Sequence, residues 1–264
     1  MPAEIMLTNL ASPAIKERIN DETIAIIPVG SIEQHGPHLP VDVDSFLVTE
    51  IAKRAAQSAA DCNVLVTPTV TFGCSQHHLY FPGTLSLSQD TFIRVIQDIC
   101  NSLLCYGVKR IVVLNGHAGN NGALRVALNE VKLHNKQAMI FFANHWVFSK
   151  KAMAQLRESE RGGLGHACEL ETSLYLALAP EKVHMEKVLK EIPPPKVQRA
   201  QVDLMQSGDV AYFTSMEQKT ISGIVGDPTV ASKEKGEKLL YAAVEEFAAL
   251  LQDVKNAVSD PIRD

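Results

Sequence analysis

Apolar runs, and the polar residues that stop them, divide the chain into a recurring unit. Residues 23–27, 63–68, 110–114 and 137–144 are short runs rich in β-branched side chains, the make-up of buried strands. Between and around them, residues 11–20, 46–59, 90–106 and 123–135 place apolar side chains at helical spacing, with Asp44 or Ser45 available as N-cap of the second of these helices and Ser88 or Asp90 of the third. Residues 149–160 read as a surface helix, 162–165 as a flexible turn, 174–178 as an apolar helix and 232–258 as a long amphipathic helix lying on the sheet. From 180 to 228 the pattern weakens: Pro193-Pro194-Pro195 marks a stiff surface loop and 222–228 is rich in turn formers. Strand, polar loop and helix repeated in this way predict an α/β fold, a mostly parallel sheet with helices on both faces. With no internal repeat or low-complexity stretch, one domain over 1–264 is the simplest division.

In open α/β sheets ligands gather at the carboxyl ends of strands. The first predicted strand runs into Pro28-Val29-Gly30-Ser31-Ile32-Glu33-Gln34-His35-Gly36-Pro37-His38-Leu39-Pro40, and Asp44 follows shortly after. Glu33 and His35 are two apart, which in extended backbone puts both on one face. Gly36, Pro37 and Pro40 bend the chain and can return Asp44 toward them. Carboxylate, imidazole and carboxylate so placed suit one or two divalent ions of the zinc, manganese or iron type. Two further polar groups follow later apolar elements: His117, and His166 with Glu169 and Glu171. In a doubly wound sheet all three groups meet on one edge, with Gln34, His38, Asn115 and Asn120 at hand to orient ligands.

Composition narrows the partners. The 264 residues carry a net charge of −5 with interspersed signs, so there is no basic footprint for nucleic acid and no basic amphipathic segment for a membrane surface; small molecules or a peptide are the expected partners. Residues 1–9 lack the basic start and apolar core of a signal peptide, which points to the cytoplasm. The five cysteines are odd in number and irregularly spaced, without a Cys-x-x-Cys pair, so neither a disulfide framework nor a zinc ribbon is indicated.

The stretch from Gly30 to Pro40, with Asp44 eleven residues after Glu33, resembles the creatininase (creatinine amidohydrolase) family. So do Asn115-Gly116-His117-Ala118-Gly119-Asn120, the block from His166 to Ser173, the Phe81-Pro82-Gly83-Thr84 turn and the segment from Gly223 to Pro228. The resemblance implies a three-layer αβα fold, assembled as a homohexamer, with a binuclear metal centre that hydrolyses a cyclic amide or related C–N bond. Carried over by position, Glu33 and His117 would hold one ion, His35 the other, and Asp44 would bridge them. In creatininase proper a glutamate two residues after the His117 position binds the second ion, where this chain has Gly119. Family members with the Gly-Asn form take that carboxylate from the later block, which assigns Glu169 as fifth ligand and leaves Glu171 a structural role, with the choice between the two open. The pattern also has a Glu-His pair where this chain has Gly165-His166, so His166 alone would shuttle the proton, and creatinine is disfavoured as substrate. The Gly-Asn form is similar to a branch with deformylases of flavin and deazaflavin synthesis and a peptidase acting on a cofactor precursor.

The chemistry is coherent in its own terms. Two divalent ions lower the pKa of water toward neutrality, and a histidine such as His166, with an ordinary pKa near about 6.5, can deliver a proton to the departing amine. His78 is a candidate for touching substrate, although it and His77, in a long polar loop, read more readily as exposed. Trp146, the only tryptophan, could close over a ring-shaped substrate or serve the core or a subunit contact. Cys168 lacks a basic neighbour and reads as packing rather than as a nucleophile. The competing readings are a binding or assembly protein on a hydrolase-like fold, and a nucleotide-binding protein; the latter is disfavoured because the glycines at 116, 119 and 122 surround His117 instead of forming a phosphate loop.

Overall fold

Four strands, β1 (Ile24–Val29), β2 (Val64–Val66), β3 (Arg110–Asn115) and β4 (Met139–Asn144), pair in parallel in the order β2-β1-β3-β4. The structure is a computed structural model that describes residues 4–259. The strands are joined by right-sized helical crossovers: α1 (Ser12–Arg18) precedes β1, α2 (Val43–Ser58) follows it, α3 (Gln89–Cys105) leads to β3 and α4 (Asn121–His134) to β4. Then come α5 (Lys150–Leu156), a short strand β5 (Leu164–His166), α6 (Glu169–Leu178), α7 (Met216–Lys219), β6 (Val225–Gly226) and the long α8 (Lys233–Asn256).

β1 is apolar at every position and β3 at all but its two ends, Arg110 and Asn115, because both faces of the sheet are covered. Ile24 and Ile26 of β1 point to one side, into a core with Val48 and Ile51 of α2 and Phe247 and Leu251 of α8. Ala25, Ile27 and Val29 point to the other, against Phe92 and Ile96 of α3 and Leu124 and Ala127 of α4. This is the expected three-layer αβα arrangement. A third cluster joins Leu39, Val43 and Leu47 to Trp146 and to Leu170 and Leu174 of α6.

Three local expectations change. Helix α2 starts at Val43, with Asp42 as N-cap, so Asp44 lies in its first turn, where the helix dipole favours a carboxylate. Residues 162–165 are not merely a turn, since Leu164–His166 pairs antiparallel with β6 and so gains a fixed place on the rim. Helix α6 begins at Glu169, not at 174, with Cys168 as N-cap. Among the described residues no helix is long and apolar enough to cross a membrane.

Candidate metal centre

The carboxyl ends of β1 and β3 open onto one rim, and the loops leaving them carry the site. Asn120 ties these loops together: its amide donates to the Gly30 carbonyl at 2.9 Å and to Asn115 Oδ1 at 3.1 Å, and its oxygen accepts from the Cys74 N–H at 2.8 Å. Gly116 allows β3 to pass against the start of α2, since a Cβ there would lie 2.4 Å from the Asp44 carbonyl oxygen. Between β5 and α6, Ala167 takes a left-handed φ of 52°, a costly conformation without glycine, and turns the chain so that both His166 and Glu171 face the rim.

Glu33, His35, Asp44, His117 and His166 converge there, all buried or nearly so. Potential ligand atoms of Glu33, Asp44 and His117 lie within 4.8 Å of one another, as do those of His35, Asp44 and Glu171, and those of Glu33, His35 and His166. Asp44 is thus common to the first two groups, one oxygen 3.3 Å from His117 Nδ1 and the other 3.4 Å from His35 Nε2.

Glu169, assigned above as fifth ligand, is elsewhere. It is fully buried, but its carboxylate accepts from the Glu158 and Ser159 N–H groups at 3.1 and 3.0 Å and from Lys235 Nζ of α8 at 2.5 Å. Helix geometry explains the correction. Because α6 already includes Glu169, the two glutamates are turned roughly 200° from each other about its axis, and only Glu171 faces the rim. The position that resemblance marks for a carboxylate, Gly119, has no room for one: a Cβ would lie 2.2 Å from His117 Nε2 and 2.7 Å from the Cys74 carbonyl oxygen.

Each of the three histidines is fixed through one nitrogen to a backbone carbonyl, which can only accept, so that nitrogen carries the hydrogen. His35 Nδ1 donates to the Glu33 carbonyl at 3.1 Å, His117 Nε2 to the Cys74 carbonyl at 3.2 Å and His166 Nε2 to the Gln34 carbonyl at 2.7 Å. The other nitrogen of each then faces carboxylates: His117 Nδ1 lies 3.1 Å from Glu33 Oε2 and His166 Nδ1 3.5 Å from Glu33 Oε1. Lone pairs meeting carboxylates in a buried site repel unless a cation lies between them. Glu33 Oε1, His35 Nε2 and Asp44 Oδ2 are buried without a hydrogen-bond partner. This donor set, imidazoles and carboxylates whose free atoms converge while their other atoms are held from behind, fits divalent metal ions.

The proton affinities carry the same message. Burial alone would raise the Glu33 and Asp44 carboxyls, but the rings of His117 and His35 outweigh it and hold both well below the usual carboxylate range. Conversely, burial would lower His35, yet Asp44 raises it to about 9, and Glu33 lifts His117 well above its ordinary value. Burial pushes Glu171 up to about 7. Without metal, protons stand in for the missing positive charge. A raised pKa contributes stability that is complete below the unfolded value and is lost as pH passes the folded one. Metal-free protein therefore loses stability between 4.5 and about 7 through Glu171 and between 6.5 and about 9 through His35. We expect the thermal midpoint of chelator-treated protein to fall by several degrees from pH 6.5 to 9, and saturating zinc or manganese to abolish that fall; calorimetry at stepped pH checks both.

The remaining candidates also reach the site. His78, expected to be exposed, is 2% exposed: Gln34 Nε2 lies 2.9 Å from its Nδ1, and its Nε2 is 3.5 Å from Glu33 Oε1. His77 stacks against His117 with ring centroids 5.6 Å apart. Trp146 packs in the third apolar cluster and also lines the cavity above the carboxylates. Asp42 instead accepts from the Tyr175 hydroxyl at 2.8 Å. Burial and Glu171 push the Cys168 thiol well up, so it remains protonated among packed side chains.

Ser75 was not foreseen as a functional residue. Its hydroxyl lies 2.5 Å from Glu33 Oε2 and 3.3 Å from His117 Nε2, bracing both. The only signal was its place in the long polar loop between β2 and α3. Residues of α7 also border the cavity, and nothing in the weak pattern of 180–228 marked them.

Comparison with known proteins agrees with the fold. The Creatininase family model, described as creatinine amidohydrolase, matches residues 8–251. A mycofactocin precursor peptide peptidase of Mycobacterium tuberculosis (strain CDC 1551 / Oshkosh) is 30% identical over 230 residues, 84% of this chain and 81% of its own. A creatinine amidohydrolase of Pseudomonas putida is 29% identical over 249 residues, 88% of this chain and 90% of its own. The solved structure of a creatininase variant of the Zn-Zn type superposes with a TM-score of 0.79 at 28% identity, covering 95% of this chain and 98% of that one. The chain belongs to the creatininase (creatinine amidohydrolase) family of hydrolases.

Proposed function

We propose that this enzyme binds two divalent ions, zinc, manganese or iron, and hydrolyses a C–N bond of a cyclic amide, formamide or similar small substrate. Glu33, Asp44 and His117 would hold one ion and His35, Asp44 and Glu171 the other. The single observation that carries the reading is the set of three imidazoles fixed from behind to backbone carbonyls, with their free nitrogens turned on shared carboxylates. Bound divalent ions supply Lewis acidity, which polarises a carbonyl and acidifies water.

The protein's own groups do the rest. His166 is the proton carrier. Burial and the neighbouring His35 hold its pKa well below the ordinary value, so the ring is neutral and able to accept a proton at Nδ1 from attacking water. It can hand that proton to the departing nitrogen, which leaves poorly as an anion. The cavity over these groups is about 190 Å³, walled by Trp146, Leu204 and Met216 among others. That is below the about 300–1,000 Å³ of sites for drug-sized ligands, so the reacting part of the substrate is small.

A homohexameric assembly accords with the half-buried edge strand β4 and with Val126 and Leu133 exposed on the neighbouring α4. A cytoplasmic setting accords with five cysteines that form no disulfide.

The test is metal content and turnover in one preparation, assayed on a panel of cyclic amides and formamides by amine release. Two ions per chain and turnover lost to chelator, restored by metal and lost in His35→Ala support the reading. Two ions without turnover of any member would favour a binding protein, and absence of stoichiometric metal would end the metal assignment.

A further inference from the structure

We infer that the substrate carries an anionic oxygen group, a carboxylate or a phosphate, and that Lys219 binds it. This deepens the reading proposed above and rests on it for the reaction at the buried end. Lys219 is the last residue of α7, a single turn that packs against the turn at Gln76–His78. Its side chain lines the cavity above the carboxylates together with His77, His117 and Trp146.

Three observations make it an anion site. First, among the described residues no carboxylate lies within 4 Å of its Nζ and no hydrogen bond engages it, whereas the buried Lys235 has Glu169 and Glu158. A half-buried ammonium among apolar groups such as Met216, Val202 and Val225 loses hydration without recompense, and burial alone shifts its proton affinity downward. Such a cation is costly unless something else pairs with it. Second, the charge beneath is the wrong source of a partner. Glu33, Asp44 and Glu171 converge with His35 and His117 as potential ligand groups in the buried centre, and none of them lies within 4 Å of the Lys219 Nζ. Third, Lys219, Val202 and Val225 also line a second cavity of about 170 Å³, bordered by Pro193, Pro195 and Tyr212. Lys219 therefore stands at the junction of the two spaces, where it can hold one end of a substrate whose scissile bond lies over Asp44 and whose remainder extends outward. A Lys ammonium suits this as a point charge that accepts either anion.

The experiment measures binding by calorimetry to metal-loaded wild type, Lys219→Met and Lys219→Arg, with ion content determined on each sample. The probes are N-formylglycine, its neutral counterpart N-formylglycinamide, and N-formyl-2-aminoethyl phosphate. Wild type is expected to bind at least one anionic probe about tenfold more tightly than the neutral one, and which of the two wins identifies carboxylate or phosphate. Lys219→Met should erase that preference while moving the Kd of the neutral probe less than twofold, and Lys219→Arg should keep most of it. Equal affinities for all three probes in wild type, no detectable binding of either anion, or loss of bound metal in Lys219→Met would each overturn the assignment. Failure of the metal reading shows separately, as wild type without ions.

Discussion

Asp44→Ala is expected to remove both ions at once and lower hydrolysis at least about 10³-fold, the equivalent of several kcal/mol of lost charge stabilisation. The reason is geometric. Its two oxygens face different histidines, His35 and His117, and no other side chain belongs to both ligand groups proposed for the ions. Losing Asp44 also costs the fold, because it takes away the partner that keeps the His35 ring protonated in metal-free protein and a carboxylate from the start of α2. Asp44 sits in the first turn of α2, where a carboxylate contributes about 0.3–1 kcal/mol through the helix dipole. Ion content by mass spectrometry, beside circular dichroism on the same sample, separates the two effects. Asp44→Ala protein that still carries two ions per chain would show that this carboxylate bridges nothing.

Exchanging the roles of two neighbouring glutamates gives a second large effect of opposite kinds. Glu171→Gln should lose one of the two ions and drop activity at least about 100-fold, with little change in thermal midpoint, because its other contact is a single hydrogen bond accepted from the Cys168 N–H at 3.2 Å. Glu169→Ala should keep both ions and lose roughly 3 kcal/mol of stability, since it takes away the buried carboxylate of the Lys235 ammonium, which keeps only the exposed Glu158 and the Val230 carbonyl, and leaves the N–H groups of residues 158 and 159 without their acceptor. For a chain of this size that is a fall of about 6–12 °C in midpoint. If instead Glu169→Ala lost an ion and Glu171→Gln kept both, the orientation of α6 described above would be wrong.

These two residues show where reading the chain stops. The run from Glu169 to Ser173 is too polar to announce a helix, and its start decides which glutamate faces the ions. Because a helix turns 100° per residue, a start displaced by five residues changes the face that each side chain presents. Residues in extended backbone were easier. Glu33 and His35 alternate in a stretch punctuated by Gly36, Pro37 and Pro40, and the structure brings both to the rim. The His77-His78 loop looks exposed in the sequence because its polar residues lack regular periodicity, and only the closure of Gln34 and His117 around it buries His78 and half-buries His77.

What the linear order of residues determined was the alternation of buried strands and amphipathic helices, and with it the edge on which Glu33, Asp44, His117 and His166 had to meet. Those signals are local: side-chain alternation, helical spacing and turn formers act over a few residues. Tertiary structure decided the rest: that Glu171 and not Glu169 faces the centre, that Gly119 leaves no room for a carboxylate, that Ser75 braces Glu33, and that Lys219 stands at the mouth with no carboxylate partner among the described residues. Each of these depends on distances between segments far apart in the chain, which are set when the layers pack and are not encoded in any single stretch.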